Sequence, residues 1–335
     1  MRVSILTWNI NAKKSAFSDL KSIIENEMNA DILFIGLQEV YFTFMSTSDL
    51  YNRVKDCVGS YNIIGFERLF GIVSFVLSKN NLQSESFRMG LGFLNNGYKG
   101  FTSHYIQFSD TNEKNNILFV NTHLTAHEKN LDSRMKQVSE CFKAISSAYD
   151  IKEIDTIILS GDMNFRVSGI DRQKVYDLII EKNYEEILKN DQFNNFSEKY
   201  PRFKEGNINF QPSYKYIAGT DDFEVKKYRV PSYCDRILCN SKYKHNFTEY
   251  KSLENIRTSD HKPVLLRMEF EPIILDNSEL LSDIADKNYI YKLYASEMFN
   301  FFHENIFLIG IMTGIVASGS YLHFKNKIKQ FFEKN

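Results

Sequence analysis

Short apolar runs rich in β-branched and aromatic residues alternate along this chain with segments of helical periodicity. Several runs follow one another with no helical segment between them, which indicates mixed β-sheets in an α/β protein. The runs predicted as strands are Val3–Trp8, Asp31–Leu37, Gly71–Leu77, Ile117–Leu124 and Thr156–Leu159. The three-four spacing of apolar residues predicts helices over Phe17–Met28, Leu131–Tyr149 and Asp171–Lys182.

The pattern changes after about Phe270, where Pro272 ends the last predicted strand and a polar, acidic stretch follows. The segment Ile306–Leu322 then contains 17 residues without a charge. As a helix it would be about 26 Å long, close to the roughly 30 Å hydrocarbon core of a bilayer. A buried core helix is the alternative. The segment is apolar on every face rather than along one stripe, which favours a transmembrane helix.

Composition narrows the possible partners and the compartment. The 335 residues carry a formal net charge of -1 and a sequence pI of about 6.7, so no general nucleic-acid-binding surface is expected. The four cysteines form no CxxC pair and no zinc-like spacing, which fits a reducing compartment.

Polar side chains cluster in five motifs at the ends of predicted strands, where loops can bring them into one site. Taken singly, such residues commonly cap turns or face solvent. Together they form a set of oxygen ligands for a hard cation with a carboxylate and imidazoles for proton handling. The motifs are TWNIN with Asn9, GLQEV with Glu39, NTHLTAHEKN with His123, SGDMN with Asp162 and Asn164, and TSDHKPV with Asp260 and His261.

The order of these motifs resembles the order found in the endonuclease/exonuclease/phosphatase superfamily. Two further segments, FKEGNINFQPSYKY at 203–216 and KKYRVPSYCDRIL at 226–238, resemble the signature motifs of the inositol polyphosphate 5-phosphatase family. The resemblance covers roughly residues 1–270. It implies a DNase I-like sandwich of two packed mixed β-sheets flanked by helices.

The resemblance also implies a role for each matching side chain. Asp162 would activate the attacking water, and Asp235 would orient His261. A Mg²⁺ ion would be held by Glu39 and Asn9, with Asp260 completing the polar network near the metal. Phosphate contacts would come from His261, Asn164 and His123. Substrate contacts would come from Tyr214, Lys215, Lys227 and Arg229 beside the neighbouring 4-phosphate, and from Lys99 in the loop 90–102.

The predicted activity is Mg²⁺-dependent removal of the 5-phosphate from phosphatidylinositol 4,5-bisphosphate at a membrane surface. A sphingomyelinase-like phosphodiesterase of the same superfamily would not need the two signature segments. A nuclease would show a broader basic surface. An inactive inositide-binding membrane tether would be marked by loss of Glu39, Asp162 or His261, and all three are present.

The resulting domain prediction has four parts: a catalytic domain over 1–271, a linker over 272–302, a transmembrane tail anchor over 303–324 and a short basic tail over 325–335. The catalytic domain would stay on the cytosolic face of an intracellular membrane. The short span favours the thinner endoplasmic reticulum bilayer, with the mitochondrial outer membrane as the alternative. A GxxxG step at Gly310 and Gly314 is compatible with a weak homodimer through the membrane helix.

Overall fold

The computed structural model describes residues 1–41, 45–92, 96–107, 115–226, 228–276, 278–281, 289, 292 and 296–298. The predicted membrane helix over 303–324, the basic tail and Lys227 lie outside these residues. Within the described ranges, no helix is long and apolar enough to cross a membrane.

Twelve strands among the described residues form two six-stranded sheets. The first sheet has the order β11-β12-β1-β2-β4-β3 and the second β5-β6-β7-β8-β10-β9. In each sheet one pair is parallel, β1 with β2 and β7 with β8, which confirms the predicted mixed sheets. The strands are β1 Arg2–Asn9, β2 Ile32–Gln38, β3 Asn62–Leu69, β4 Ile72–Ser78, β5 Gln83–Gly90, β6 Gly100–Gln107, β7 Ile117–His123, β8 Thr156–Asp162, β9 Lys204–Glu205, β10 Asp235–Ser241, β11 Tyr243–Ser252 and β12 Val264–Ile274.

Helices cover the outer faces of both sheets. The apolar stripes of α1 and α2 pack on the first sheet, and those of α3 and α6 pack on the second. The predicted long helix corresponds to α3, which buries Val138, Phe142 and Ile145 as its periodicity requires. The helices are α1 Ala16–Glu27, α2 Thr47–Lys55, α3 Leu131–Ala148, α4 Arg172–Ile180, α5 Tyr184–Leu188 and α6 Phe193–Lys199.

The two sheets are joined by apolar stacking in the middle and by buried polar contacts, one of which lies near the strand ends. Phe34 of β2 stacks on Phe119 of β7 with ring centroids 4.9 Å apart. Closer to the carboxyl ends, Gln38 Nε2 donates to Asn121 Oδ1 at 2.7 Å. A Cβ at Gly36 would lie 2.4 Å from that oxygen, so this close approach requires glycine. The contact brings the ends of β2 and β7 to the same end of the sandwich.

The expectation that Pro272 ends the last strand is wrong, because β12 continues to Ile274. Tyr243 pairs with Ile274 and His245 with Phe270, so the ladder is irregular where Pro272 lies. A proline can occupy an irregularity of this kind because its missing N–H removes no ladder bond there.

His104 on β6 is fully buried, and it links three strands by hydrogen bonds. Its Nε2 lies 2.9 Å from Ser74 Oγ on β4, and its Nδ1 lies 2.7 Å from Ser86 Oγ on β5. Burial lowers the pKa of His104 to about 4, because the interior disfavours the charged imidazole.

Because this imidazole is buried in its neutral form, we expect the free energy of unfolding to fall on mild acidification. The unfolded chain takes up a proton near the ordinary histidine pKa of about 6.5, whereas the folded chain does not until about pH 4. The contribution of His104 is therefore fully present above pH 6.5, and about 2 kcal/mol of it is lost by pH 5. Urea unfolding of wild type and His104→Gln at pH 7.5 and pH 5 measures it. An equal drop in both proteins would contradict the prediction.

Candidate active site

The polar motifs meet at one end of the sandwich. In the second sheet, one row of paired residues joins His123 to Asp162 and Asp162 to Asp235 across three neighbouring strands. The first sheet adds Asn9 at the end of β1 and Glu39 directly after β2. Carboxyl ends of parallel strands lie at one sheet edge, so residues distant in sequence converge here.

Asp162 lies at the centre of the site and is 1% exposed. Its Oδ2 accepts a hydrogen bond from Asn9 Nδ2 at 3.0 Å, and its Oδ1 accepts one from the backbone N–H of Asn164 at 3.0 Å. Burial raises the pKa of this carboxyl above its ordinary value, although the neighbouring His261 favours the charged form. A carboxylate with a raised pKa is a better proton acceptor than an exposed one.

His261 is held as a cation by Asp235. The His261 Nδ1 lies 2.8 Å from Asp235 Oδ2, which also accepts from Ser213 Oγ at 2.7 Å. Burial opposes the charged form, but the Asp235 carboxylate outweighs it and raises the pKa of His261 to about 9. The other ring nitrogen, Nε2, lies 4.0 Å from Asp162 Oδ2.

His123 differs from His261 in its protonation state. Burial, followed by the positive charge of Lys99, holds the pKa of His123 well below its usual range, so the imidazole is neutral. Its Nε2 contacts the ammonium of Lys99 and lies 3.4 Å from Asp162 Oδ2 and 3.9 Å from Glu39 Oε1. Its buried Nδ1 has no hydrogen-bond partner among the described residues. Burial also lowers the pKa of Lys99 to about 8.

Two groups of side chains could hold a cation, and the protonation state of their donor atoms shows which group is better suited. Donor atoms of Asp162, Asp235 and His261 all lie within 4.8 Å of one another. However, a protonated His261 cannot ligate a metal. Glu39 and Asn9 are oxygen donors of the kind that suits Mg²⁺. The Glu39 side chain is 34% exposed. The Asn9 Oδ1 accepts a 3.0 Å bond from the Asn11 N–H, and its second lone pair can ligate a cation.

Two of the predicted substrate residues, Tyr214 and Lys215, contact predicted site residues. The Tyr214 ring packs on the His261 ring with centroids 4.4 Å apart, and Lys215 Nζ donates to Asp260 Oδ2 at 2.5 Å. Asp260 is thus engaged by an ammonium group, and its part in metal binding stays a prediction. Lys227 is outside the described residues.

Two cationic or imidazole side chains were not among the predicted site residues. Arg166 is 6% exposed, donates from Nε to Asn164 O at 3.2 Å and also bonds Asn164 Oδ1. Its guanidinium lies 4.4 Å from the Tyr214 ring centroid. His127 Nδ1 lies 3.2 Å from Arg229 Nη1. The spacing of Asp162, Asn164 and Arg166 at every second position was the available signal for the arginine. The segment is not extended as that spacing predicts, because β8 ends at Asp162 and Asn164 has φ 56°.

Comparison with known proteins places this arrangement in a family. The Endonuclease/Exonuclease/phosphatase family 2 profile matches residues 6–267. The Type IV inositol polyphosphate 5-phosphatase 11 of Arabidopsis thaliana is 27% identical over 278 residues, covering 78% of this chain and 80% of that protein. The phosphatidylinositol 4,5-bisphosphate 5-phosphatase A of Rattus norvegicus is 25% identical, over 85% of this chain but 32% of that protein.

A solved structure shares the fold. The inositol polyphosphate 5-phosphatase domain of spsynaptojanin, in complex with inositol (1,4)-bisphosphate and calcium ion, aligns with a TM-score of 0.68 at 21% identity. The alignment covers 87% of this chain and 90% of that one, which confirms the DNase I-like sandwich of two mixed sheets. The chain belongs to the endonuclease/exonuclease/phosphatase family 2, and its homologues are inositol polyphosphate 5-phosphatases, which are hydrolases.

Proposed function

We propose that this protein is a Mg²⁺-dependent phosphatidylinositol phosphate 5-phosphatase that acts on phosphatidylinositol 4,5-bisphosphate. One observation carries the proposal: a buried carboxylate, Asp162, lies between a neutral imidazole and a protonated one, with cationic side chains beside it. This arrangement can accept a proton from water while meeting the charge of a phosphate ester. The names of the similar proteins support the substrate class.

In this proposal Asp162 orients a water molecule for in-line attack on phosphorus and takes its proton. A new phosphorus–oxygen bond forms to the water, and the bond to the inositol oxygen breaks. That oxygen takes up a proton from solvent to become a hydroxyl, and Asp162 releases its own proton to solvent. The charge on the phosphoryl oxygens is met by His261, with Asn164 and His123 as further contacts. Asp235 keeps the imidazole of His261 charged and oriented.

Glu39 and Asn9 would hold the cation, with Asp260 in the surrounding polar network. A bound Mg²⁺ would neutralise negative charge on the phosphate and on the leaving oxygen. The spsynaptojanin domain was solved with calcium ion, so Mg²⁺ in this chain is a proposal to be tested against Ca²⁺.

Substrate choice would come from fixed cations that grip the phosphate next to the scissile one. Lys215, Arg229, Lys227 and Lys99, with the Tyr214 hydroxyl, are proposed for this role. The apolar segment over 303–324 would anchor the protein on the cytosolic face of an intracellular membrane, with the endoplasmic reticulum favoured. Anchoring raises the effective concentration of a lipid substrate. Gly310 and Gly314 are the proposed face of a weak homodimer.

Phosphate release from short-chain substrates tests the proposal. We expect malachite-green detection of phosphate from short-chain phosphatidylinositol 4,5-bisphosphate with Mg²⁺ and none with EDTA. Phosphatidylinositol 4-phosphate, which lacks the 5-phosphate, is the matched control and should give none. If no inositide released phosphate in a Mg²⁺-dependent manner, the enzyme proposal would be wrong. Release of phosphocholine from sphingomyelin instead would point to the phosphodiesterase alternative.

A further inference from the structure

Lys99 lies at the base of the hairpin formed by β5 and β6. Among the described strands, β5 is the outermost of the second sheet, and its last residue, Gly90, pairs with Gly100, the first residue of β6. The Leu91 N–H then donates to Lys99 O at 2.7 Å. Hydrogen-bonded pairs alternate along an antiparallel ladder, so the neighbouring Gly90 N–H faces away from β6, toward the edge of the sheet.

Two residues from a distant part of the chain cover this edge, and we call Ser296 and Glu297 the edge clamp. The fully buried Ser296 accepts a hydrogen bond through Oγ from the Gly90 N–H at 2.8 Å. Glu297 Oε1 lies 3.6 Å from Arg88 Nε, but the Glu297 side chain is 47% exposed. An ion pair in contact with water contributes little, so the buried hydroxyl is the main contact.

The residues before the edge clamp are docked on the outer face of the second sheet. Leu280, Leu281 and Tyr289 are buried in the apolar cluster formed with α3 and α6. Lys292 Nζ lies 3.2 Å from Glu140 Oε1 on α3. Because these residues are already held by packing, little further ordering is needed to keep the clamp against β5.

The base of the hairpin is packed too tightly for one strand to move without the other. A Cβ at Gly100 would lie 2.3 Å from Met89 O and 3.1 Å from Gly90 Cα. On the side of α3, Gln137 Nε2 donates to Leu91 O at 2.9 Å. A shift of Gly90 would therefore be passed to the start of β6 and to the lysine directly before it.

The position of this lysine matters to the active site. The Lys99 ammonium contacts His123 Nε2, which lies 3.4 Å from Asp162 Oδ2. Lysine carries its charge as a compact group at the end of a flexible stem, so the backbone from which the stem starts decides what the charge can reach. The hairpin base thus sets the distance of a cation from the proposed base.

We propose that Ser296 is a positioning residue for the reaction: it holds the base of the β5–β6 hairpin so that Lys99 lies beside the scissile phosphate. This inference rests on the proposed function, in which Lys99 contacts the substrate. Without the Ser296 hydroxyl, the Gly90 N–H loses its partner, and the hairpin must shift or admit water to satisfy it. The effect on catalysis passes through the ammonium of Lys99 and should vanish when that ammonium is absent.

A double-mutant cycle on the full chain tests this coupling. With a soluble short-chain phosphatidylinositol 4,5-bisphosphate, we expect Ser296→Ala to lower kcat/KM about tenfold when Lys99 is present. In a Lys99→Met background, the same change should cost less than about twofold. A smaller folded fraction would reduce the rate by the same factor in both backgrounds, so equal losses would overturn the positioning role.

Ser278→Ala is the matched control, because it makes the same substitution in the same stretch of chain. Ser278 Oγ accepts from Arg202 Nη1 at 2.8 Å, away from the hairpin. We expect its kcat/KM to stay within about twofold of wild type. A loss as large as that of Ser296→Ala would show that any weakening of this stretch lowers the rate, and would also overturn the proposal.

Hydrogen exchange followed by mass spectrometry tests the contact without using activity. We expect Ser296→Ala, but not Ser278→Ala, to speed exchange severalfold at Gly90 and over residues 96–101. Exchange of the Gly90 amide at the rate of an unprotected amide in the wild-type chain overturns the clamp, even if Ser296→Ala does not fold. If exchange behaves as expected but no inositide is hydrolysed, the proposed function fails and the positioning role with it, while the contact between Ser296 and the hairpin stands.

Discussion

Replacing Asp162 by Asn is expected to lower kcat for phosphate release by about 10³-fold. The amide has nearly the shape of the carboxylate and can still accept the bond from the Asn164 N–H, although it loses the bond that Asp162 Oδ2 accepts from Asn9 Nδ2. It cannot accept a proton from water at neutral pH, which removes the proposed base. Initial rates on saturating short-chain phosphatidylinositol 4,5-bisphosphate, with circular dichroism to confirm folding, measure the effect.

Asp150→Asn is the matched control for this substitution. Asp150 is an exposed carboxylate two residues after the end of α3, and its Oδ1 accepts a 3.1 Å bond from the Lys152 N–H. We expect its rate to stay within about twofold of wild type. A folded Asp162→Asn protein with near wild-type kcat would show that the base lies elsewhere.

Asp235→Asn is expected to lower kcat by about 10²-fold or more and to change the pH profile. The negative charge of Asp235 keeps His261 protonated up to about pH 9. Without that charge, burial dominates and the pKa of His261 falls, so the alkaline fall in activity should move to lower pH. Rates between pH 5 and pH 10 in wild type and variant test this direction.

Ser213→Ala separates charge from hydrogen bonding in this experiment. Ser213 Oγ donates to the same Asp235 Oδ2 at 2.7 Å, so its loss removes a bond but leaves the carboxylate beside His261. We expect a smaller fall in kcat and an alkaline limb near its wild-type position. An unshifted limb in Asp235→Asn would show that His261 does not act as the charged group.

The site places groups of opposite protonation side by side. Asp162 must be deprotonated to act as a base, while His261 must be protonated to bind the phosphoryl oxygens, and 4.0 Å separates their nearest atoms. Each stabilises the charged form of the other. The neutral His123 on the other side adds no charge that would weaken Asp162 as a base.

Much of the architecture followed from local pattern. The runs at Ile117–Leu124 and Thr156–Leu159 became β7 and β8, and the stripe through Val138 and Phe142 became α3. A strand or helix with one buried face repeats its apolar residues at a fixed period, so the signal is local. The strand end predicted from Pro272 was wrong, because β12 can accommodate a proline where its pairing with β11 is irregular. Local sequence does not show that irregular pairing.

For the candidate site, the sequence identified residues but not their protonation states. Asn9, Glu39, His123, Asp162 and His261 could be chosen from the sequence because each follows or precedes an apolar strand run in a motif with family resemblance. Their protonation states could not be chosen. Those depend on burial and on partners such as Lys99 and Asp235, which come from remote parts of the chain.

Periodicity and motif order are properties of neighbouring residues, so they were enough to predict the α/β class, the mixed sheets and the residue types that meet at the strand ends. The folded chain was needed to show that Asp260 is engaged by Lys215, that the Arg166 guanidinium packs on the Tyr214 ring, and that Ser296 binds Gly90. Those contacts join segments as much as 206 residues apart in the chain, and only the packing of the two sheets brings such segments together.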